Sequence, residues 1–196
     1  MYRATGKIVL ASHSPRRREF LKTLGIEFSA VGTDVDESIS PGESVPDHVI
    51  RLSRQKALAA AQKERRAFVL GADTLVVVDG VPLGKPSDRA DASRMLGLLS
   101  GGTHRVISGF CLIAPGGKNE ITGVVETLVT MRELGAPETA AYIETGEPMD
   151  KAGAYAVQGL ASAFITKIDG SYTNVVGLPV AEVVNALLSL GAIEVA

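Results

Sequence analysis

The chain has 196 residues, of which 45% are hydrophobic and 21% charged, enough to bury a proper core as one large domain or two small lobes. A net charge of −2 excludes a general binder of nucleic acid polymers or membrane surfaces, so any basic site has to be local. The single cysteine, Cys111, excludes an intrachain disulfide and fits a reducing, cytoplasmic compartment, and no apolar run is long enough to cross a bilayer.

Met1 to Lys7 is polar and the apolar run after it is short, so no signal peptide is expected. Lys7–Ser12 predicts a buried strand. Ser14 suits an N-cap and Pro15 the first position of a helix over Pro15–Leu24, with Phe20, Leu21 and Leu24 on its inner face and Gly25 as its stop. Three consecutive arginines, Arg16, Arg17 and Arg18, open that helix. Their guanidinium groups, the free N–H groups of the first turn and the positive end of the helix dipole are expected to point one way. Such a convergence describes a polyanion site, with phosphate the commonest occupant. Positive charge at a helix N-terminus opposes the dipole, so helix stability gives no reason for it.

Ile26–Val31 predicts a second strand, followed by an acidic, breaker-rich loop with Asp34, Asp36 and Glu37 that runs to Pro41-Gly42. A long helix is expected from about Pro46 to Arg65, with Val49, Leu52, Leu58 and an alanine run on its apolar side. Phe68–Val78 predicts a strand interrupted by Gly71-Ala72-Asp73-Thr74, and Asp79-Gly80 a hairpin turn. Gly84-Lys85-Pro86 reads as a loop, Asp88–Leu99 as a helix, and Thr103–Ile113 and Thr122–Met131 as long strands around Pro115-Gly116-Gly117. Pro137–Glu144 predicts a short helix, Asp150–Gly159 a glycine-dense loop, Leu160–Ile168 a strand, and the stretch from Pro179 to Gly191 a last helix. Alternating strand and helix signals, with no repeat and no linker, predict a mixed α/β (α+β) fold. One curved mixed sheet with flanking helices is expected, forming a single domain over residues 1–196 with two lobes around a central cleft.

Asp73 is the sharpest candidate for chemistry, because a carboxylate inside an apolar strand is costly unless something positive meets it. Gly71 and Ala72 before it are small enough to let a ligand approach the backbone. Glu37 and its acidic neighbours offer a second carboxylate, and a triphosphate normally arrives with Mg²⁺, which takes one or two carboxylates plus phosphate oxygens. The absence of a Cys/His cluster argues against zinc, and His13, His48 and His104 read as structural or surface residues. Lys56 follows Arg51 and Arg54 on the long helix, where such runs usually face water. Lys85, in a tight loop, is placed as phosphate-binding lysines often are, although the P-loop pattern is missing. Basic groups, one embedded carboxylate, a metal and water suit metal-assisted cleavage of a phosphoanhydride.

Several blocks together resemble the Maf family of nucleotide pyrophosphatases: the stretch Ile8 to Leu21 with Ser12-His13-Ser14-Pro15-Arg16-Arg17-Arg18, Gly71-Ala72-Asp73-Thr74, Gly84-Lys85-Pro86, Leu99-Ser100-Gly101, Thr103-His104, Asp150 to Tyr155, Gln158-Gly159 and Asn174 to Pro179. The resemblance runs in order over nearly the whole chain. It implies an inosine-triphosphatase-like fold split into two lobes, dependence on a divalent metal (Mg²⁺ or Mn²⁺), and hydrolysis of nucleoside triphosphates to the monophosphate and pyrophosphate in housecleaning of the nucleotide pool. It also implies that Asp73 is the proton acceptor and a metal ligand with Glu37, and that Ser12, Arg16, Arg17, Lys56 and Lys85 bind phosphate. Arg16, Thr74 and Gln158 resemble the branch acting on dTTP and UTP, and a glutamine amide matches the N3–H and carbonyl edge of those bases. Members of the family are often homodimers. Two alternatives stay open on sequence: a pyrophosphatase for 7-methyl-GTP-type purines, and a non-catalytic nucleotide-binding regulator of septum formation.

Overall fold

The computed structural model describes all 196 residues. Its elements in chain order are β1 (Tyr2–Ala4), β2 (Ile8–Ala11), α1 (Pro15–Thr23), β3 (Ser29–Val31), α2 (Val45–Ala61), β4 (Phe68–Val78), β5 (Val81–Leu83), α3 (Arg89–Leu99), β6 (Thr103–Ile113), β7 (Glu120–Met131), α4 (Ala136–Glu144), β8 (Ile165–Asp169), α5 (Tyr172–Val176), α6 (Val180–Ser189) and β9 (Ile193–Val195). The main sheet has seven strands in the order β3-β2-β4-β6-β7-β8, with β5 paired to β4. It is mixed: β2 is parallel to β3 and β4, whereas β4/β5 and β7/β8 are antiparallel. β1 and β9 form a separate antiparallel pair, so the two ends of the chain do not extend the main sheet.

The chain divides into two compact units. The first comprises residues 1–73, 108–125 and 177–196, the second residues 74–107 and 126–176. In the first unit, β2, β4 and β6 are buried on both faces, which is why they read as unbroken apolar runs. Side-chain parity sorts their residues. Ile8, Leu10, Leu70, Ala72, Phe110 and Leu112 join Leu21 of α1 and Val183, Val184 and Leu187 of α6 in one core. Val9, Ala11, Val69, Cys111 and Ile113 face the other way, against Ala57 and Ala60 of α2. Cys111 is buried there, and the apolar surroundings push its thiol up to about 12.

The glycine before Asp73 serves packing rather than ligand access. A Cβ at Gly71 would stand 2.8 Å from the Ala57 nitrogen and nearer still to the Ser53 carbonyl oxygen. A Cβ at Gly109 would stand 2.5 Å from the Val49 carbonyl oxygen. The two glycines on β4 and β6 let α2 lie directly on the sheet. β4 accordingly continues unbroken through Gly71 to Thr74, where the sequence suggests an interruption.

The second unit has its own core, with Leu83, Met95, Leu96, Leu99, Val129 and Met131 buried. Tyr142 and Phe164 meet edge to face there, with ring centroids 5.1 Å apart. The β4–β5 hairpin turns at Asp79-Gly80, both with positive φ, as expected for that dipeptide. Leu160–Phe164 is a 3₁₀ segment and only Ile165–Asp169 is strand, a correction to the continuous strand predicted. The cause is local: the Glu147 carboxylate accepts the Leu160 and Ala161 N–H groups at 3.1 and 3.4 Å and so takes them out of any ladder. No helix is long and apolar enough to cross a membrane.

Candidate active site

Strand parity also aims Asp73. It shares the face of Val69 and Gly71, which is the face α2 covers, so a side chain of α2 has to meet it. That side chain is Lys56, whose Nζ donates to Asp73 Oδ1 at 2.8 Å. Both residues are only 8% exposed. The same ammonium lies 2.6 Å from Glu37 Oε1, in the loop after β3. Lys56 is therefore bracketed by two carboxylates. The helix run expected to face water instead contributes a buried cation, and of the acidic loop it is Glu37 that reaches it.

The arginine segment comes to the same strand by a different route. Ser14 caps α1, its Oγ accepting the Arg17 N–H at 3.4 Å, with Pro15 at the first helical position as expected. Ser12 Oγ accepts the Ser14 N–H at 3.1 Å and the Arg17 Nη1 at 3.3 Å. Arg17 Nη1 also donates to the Ala72 carbonyl at 2.8 Å, and its Nε to the Gly177 carbonyl at 2.8 Å. Arg17 is thus keyed to the residue before Asp73. Burial lowers its pKa, the charges of Asp73 and Glu37 raise it, and Arg16 lowers it.

Two expectations change here. The first-turn N–H groups of Ser14, Arg17 and Arg18 are bonded within the turn, to Ser12 Oγ, Ser14 Oγ and the Ser14 carbonyl. The three guanidinium groups do not point one way, because successive helical residues are about 100° apart. Arg17 turns to β4, while the Nε of Arg18 is buried without a hydrogen-bonding partner.

The first unit therefore brings together Ser12, Arg17, Glu37, Lys56 and Asp73, and Arg16 neighbours Arg17 in the chain closely enough for its charge to act on it. Thr74, Lys85 and Gln158 belong to the second unit. Thr74 follows Asp73 directly in β4, and Lys85 and Gln158 are exposed. The loops carrying Lys85 and Gln158 are tied to each other, since Gly153 N–H donates to the Gly84 carbonyl at 3.0 Å. Tyr155 anchors the second of these loops through its hydroxyl, 2.8 Å from His104 Nε2. His104 is buried, which holds its pKa down at about 4 and keeps the ring neutral.

No cluster of three or more His, Cys, Asp or Glu side chains could hold a metal ion by itself. The Glu37–Asp73 pair supplies oxygen donors alone, already arranged around a positive charge. That donor set fits a hard divalent cation that completes its shell with substrate oxygens and water.

Sequence reasoning missed the cluster behind Glu37. Glu43 accepts Arg51 Nε and Nη2 at 2.6 and 2.8 Å, and lies 3.1 Å from Nδ1 of the buried His48. Hydrogen bonding from Arg51 takes the lead in holding the Glu43 carboxyl down at about 2. The available signal was the spacing of Glu43, His48 and Arg51 around the start of α2, which resembles any solvated helix terminus.

The family model described as Maf-like protein matches residues 7–190. A dTTP/UTP pyrophosphatase of Geotalea uraniireducens is 52% identical over 194 residues, covering 99% of this chain and 100% of the relative. Proteins described in the same words from Citrifermentans bemidjiense and Symbiobacterium thermophilum are 51% and 48% identical. Those matches cover 95% and 94% of this chain, and 96% and 94% of the relatives. Among solved structures, the Staphylococcus aureus Ham1 protein superposes with a TM-score of 0.52 at 15% identity, covering 93% of this chain and 98% of that one. At that identity the likeness speaks for the fold, a mixed α/β sheet with flanking helices, as expected.

Proposed function

The chain belongs to the Maf-like family, and from that premise we propose that it hydrolyses dTTP and UTP to the monophosphate and pyrophosphate. The observation that carries the reading is the Lys56 ammonium bracketed by Asp73 and Glu37, beside an arginine keyed to the same strand. The buried Lys56 and the part-buried Arg17, with Arg16 next to Arg17 in the chain, suit a polyanionic substrate.

Asp73 is the group that takes the proton of the attacking water. Lys56, whose ammonium lies 2.8 Å from the Asp73 carboxylate, stands ready to neutralise a non-bridging phosphate oxygen. Arg16 and Arg17, the latter bonded to Ser12 Oγ, bind phosphate, as does Lys85. Thr74 and Gln158 read the base. Glu37 and Asp73 would hold Mg²⁺ or Mn²⁺, which when bound offsets charge on the phosphoryl group and orients it. A cytoplasmic setting, where the nucleotide pool lies, goes with this reading and with the lone, buried Cys111.

The test is pyrophosphate release with Mg²⁺ from dTTP, UTP and 7-methyl-GTP, for wild type and Asp73→Asn. Turnover of the two pyrimidine triphosphates should dominate. The substitution should lower it by roughly 10²–10⁴-fold, with folding intact. Preference for 7-methyl-GTP would overturn the substrate, and unchanged turnover in folded Asp73→Asn would overturn the proton acceptor.

A further inference from the structure

Glu37 presents a geometric problem. Its side chain is 62% exposed, and residues 32–40 contain no strand or helix, yet its carboxylate sits 2.6 Å from the buried Lys56 ammonium. Packing does not hold it there, and an ion pair with one exposed partner is weak on its own. The backbone of the loop has to be held instead.

The next residue shows how. The Ser38 carbonyl accepts Arg51 Nη2 at 2.9 Å. Arg51 is clamped in turn by the Glu43 carboxylate through two N–H donors, and its Nη1 donates to Gln55 Oε1 at 3.3 Å. Glu43 closes the far end of the loop by accepting the Ser40 N–H at 3.1 Å. Asp36 Oδ1 accepts the Ser38 N–H at 2.9 Å and sets the turn between them. One bidentate Arg–Glu pair therefore grips the loop at Ser38 and Ser40, beside Glu37. Arg51 and Lys56 stand on the same helix, so α2 carries both the grip and the group that Glu37 must reach. Only a planar fork can meet Glu43 twice and still reach a carbonyl.

We infer that Arg51 and Glu43 are positioning residues: they hold the loop of residues 36–40 so that the Glu37 carboxylate meets Lys56 beside Asp73. Their effect on catalysis rests on the function proposed above, whereas their hold on the loop does not.

The test combines a kinetic cycle with amide hydrogen exchange on the full chain. Arg51→Lys keeps the charge and loses the fork. It should raise KM for dTTP and lower kcat/KM by about tenfold, while the same change in a Glu37→Gln background should add less than about twofold. In the free protein, the amides of Ser38 and Ser40 should exchange at least about tenfold faster, while those of the buried strands β2 and β4 keep their wild-type rates. Glu43→Gln loosens the same grip and replaces Arg51→Lys should that variant fail to fold. Losses that multiply in the double variant, or unaltered exchange at Ser38 and Ser40, would overturn the inference. If wild type cleaves no triphosphate, the proposed function falls while the exchange measurement still decides whether Arg51 holds the loop.

Discussion

Gly71→Ala tests the seating of α2 on β4, on which the whole site depends. The added methyl would stand 2.8 Å from the Ala57 nitrogen and 3.1 Å from the Ala57 Cβ, and nearer still to the Ser53 carbonyl oxygen. The first and last of these are backbone atoms of a helix, so no rotamer change relieves them. An ordinary contact lies at about 3.5 Å, which requires α2 to retreat on the order of 1 Å. Overpacking of this kind costs about 1–3 kcal/mol. At the upper end, the melting temperature of a chain this size falls by roughly 6–12 °C. Activity should fall for a second reason. Lys56 lies between Ser53 and Ala57 on the moving helix, and its 2.8 Å bond to Asp73 does not survive a retreat of that size. Misplacement on that scale costs up to about 10²-fold in turnover. Thermal unfolding by circular dichroism and pyrophosphate release from dTTP should be read on the same sample. Gly97→Ala is the control: Gly97 lies in α3 with nothing within 4 Å of an added Cβ, so stability and turnover should hold or stability should rise. A Gly71→Ala protein with wild-type melting and turnover would refute the close seating of the helix.

Two further outcomes follow from the buried groups. Burial holds His104 at about 4 against an ordinary 6.5, so the unfolded chain takes up this proton first. Stability should therefore fall as pH drops below about 6.5, by roughly 2 kcal/mol between pH 7 and pH 5. Urea midpoints at the two pH values measure this loss, and His104→Gln should remove it. The Glu43 carboxyl, held at about 2, contributes stability that is present above about 4.5 and is lost only as pH falls further, so it does not confuse that window. Cys111, pushed up to about 12 and buried, should resist iodoacetamide in the native protein and react fully in guanidinium, as mass spectrometry would show. Rapid native alkylation would mean that the α2 face of the sheet is open.

Local periodicity made most of the elements legible. The Ser14-Pro15 helix start, the Asp79-Gly80 hairpin and the long strands of β6 and β7 follow from caps, turn chemistry and apolar runs, each confined to a few residues. Asp73 was legible for a related reason: a carboxylate inside an apolar strand violates its surroundings and so marks itself. What the chain could not announce were approaches between distant segments. Gly71 reads as an interruption until Ser53 and Ala57 are seen lying against it, and Lys56, which helix spacing alone leaves facing water and only the family resemblance puts in a pocket, is turned onto Asp73 by α2. Arg17 reads as one of three equivalent cations until the Ala72 and Gly177 carbonyls claim it, and nothing near Arg51 in sequence points to Ser38. The sequence by itself determined which residue types stand at each face of each element, because periods of 2 and 3.6 are written locally. The tertiary structure alone decided which of those faces meet, because that depends on packing α2 against a glycine more than a dozen residues away and on a loop held by a single guanidinium fork.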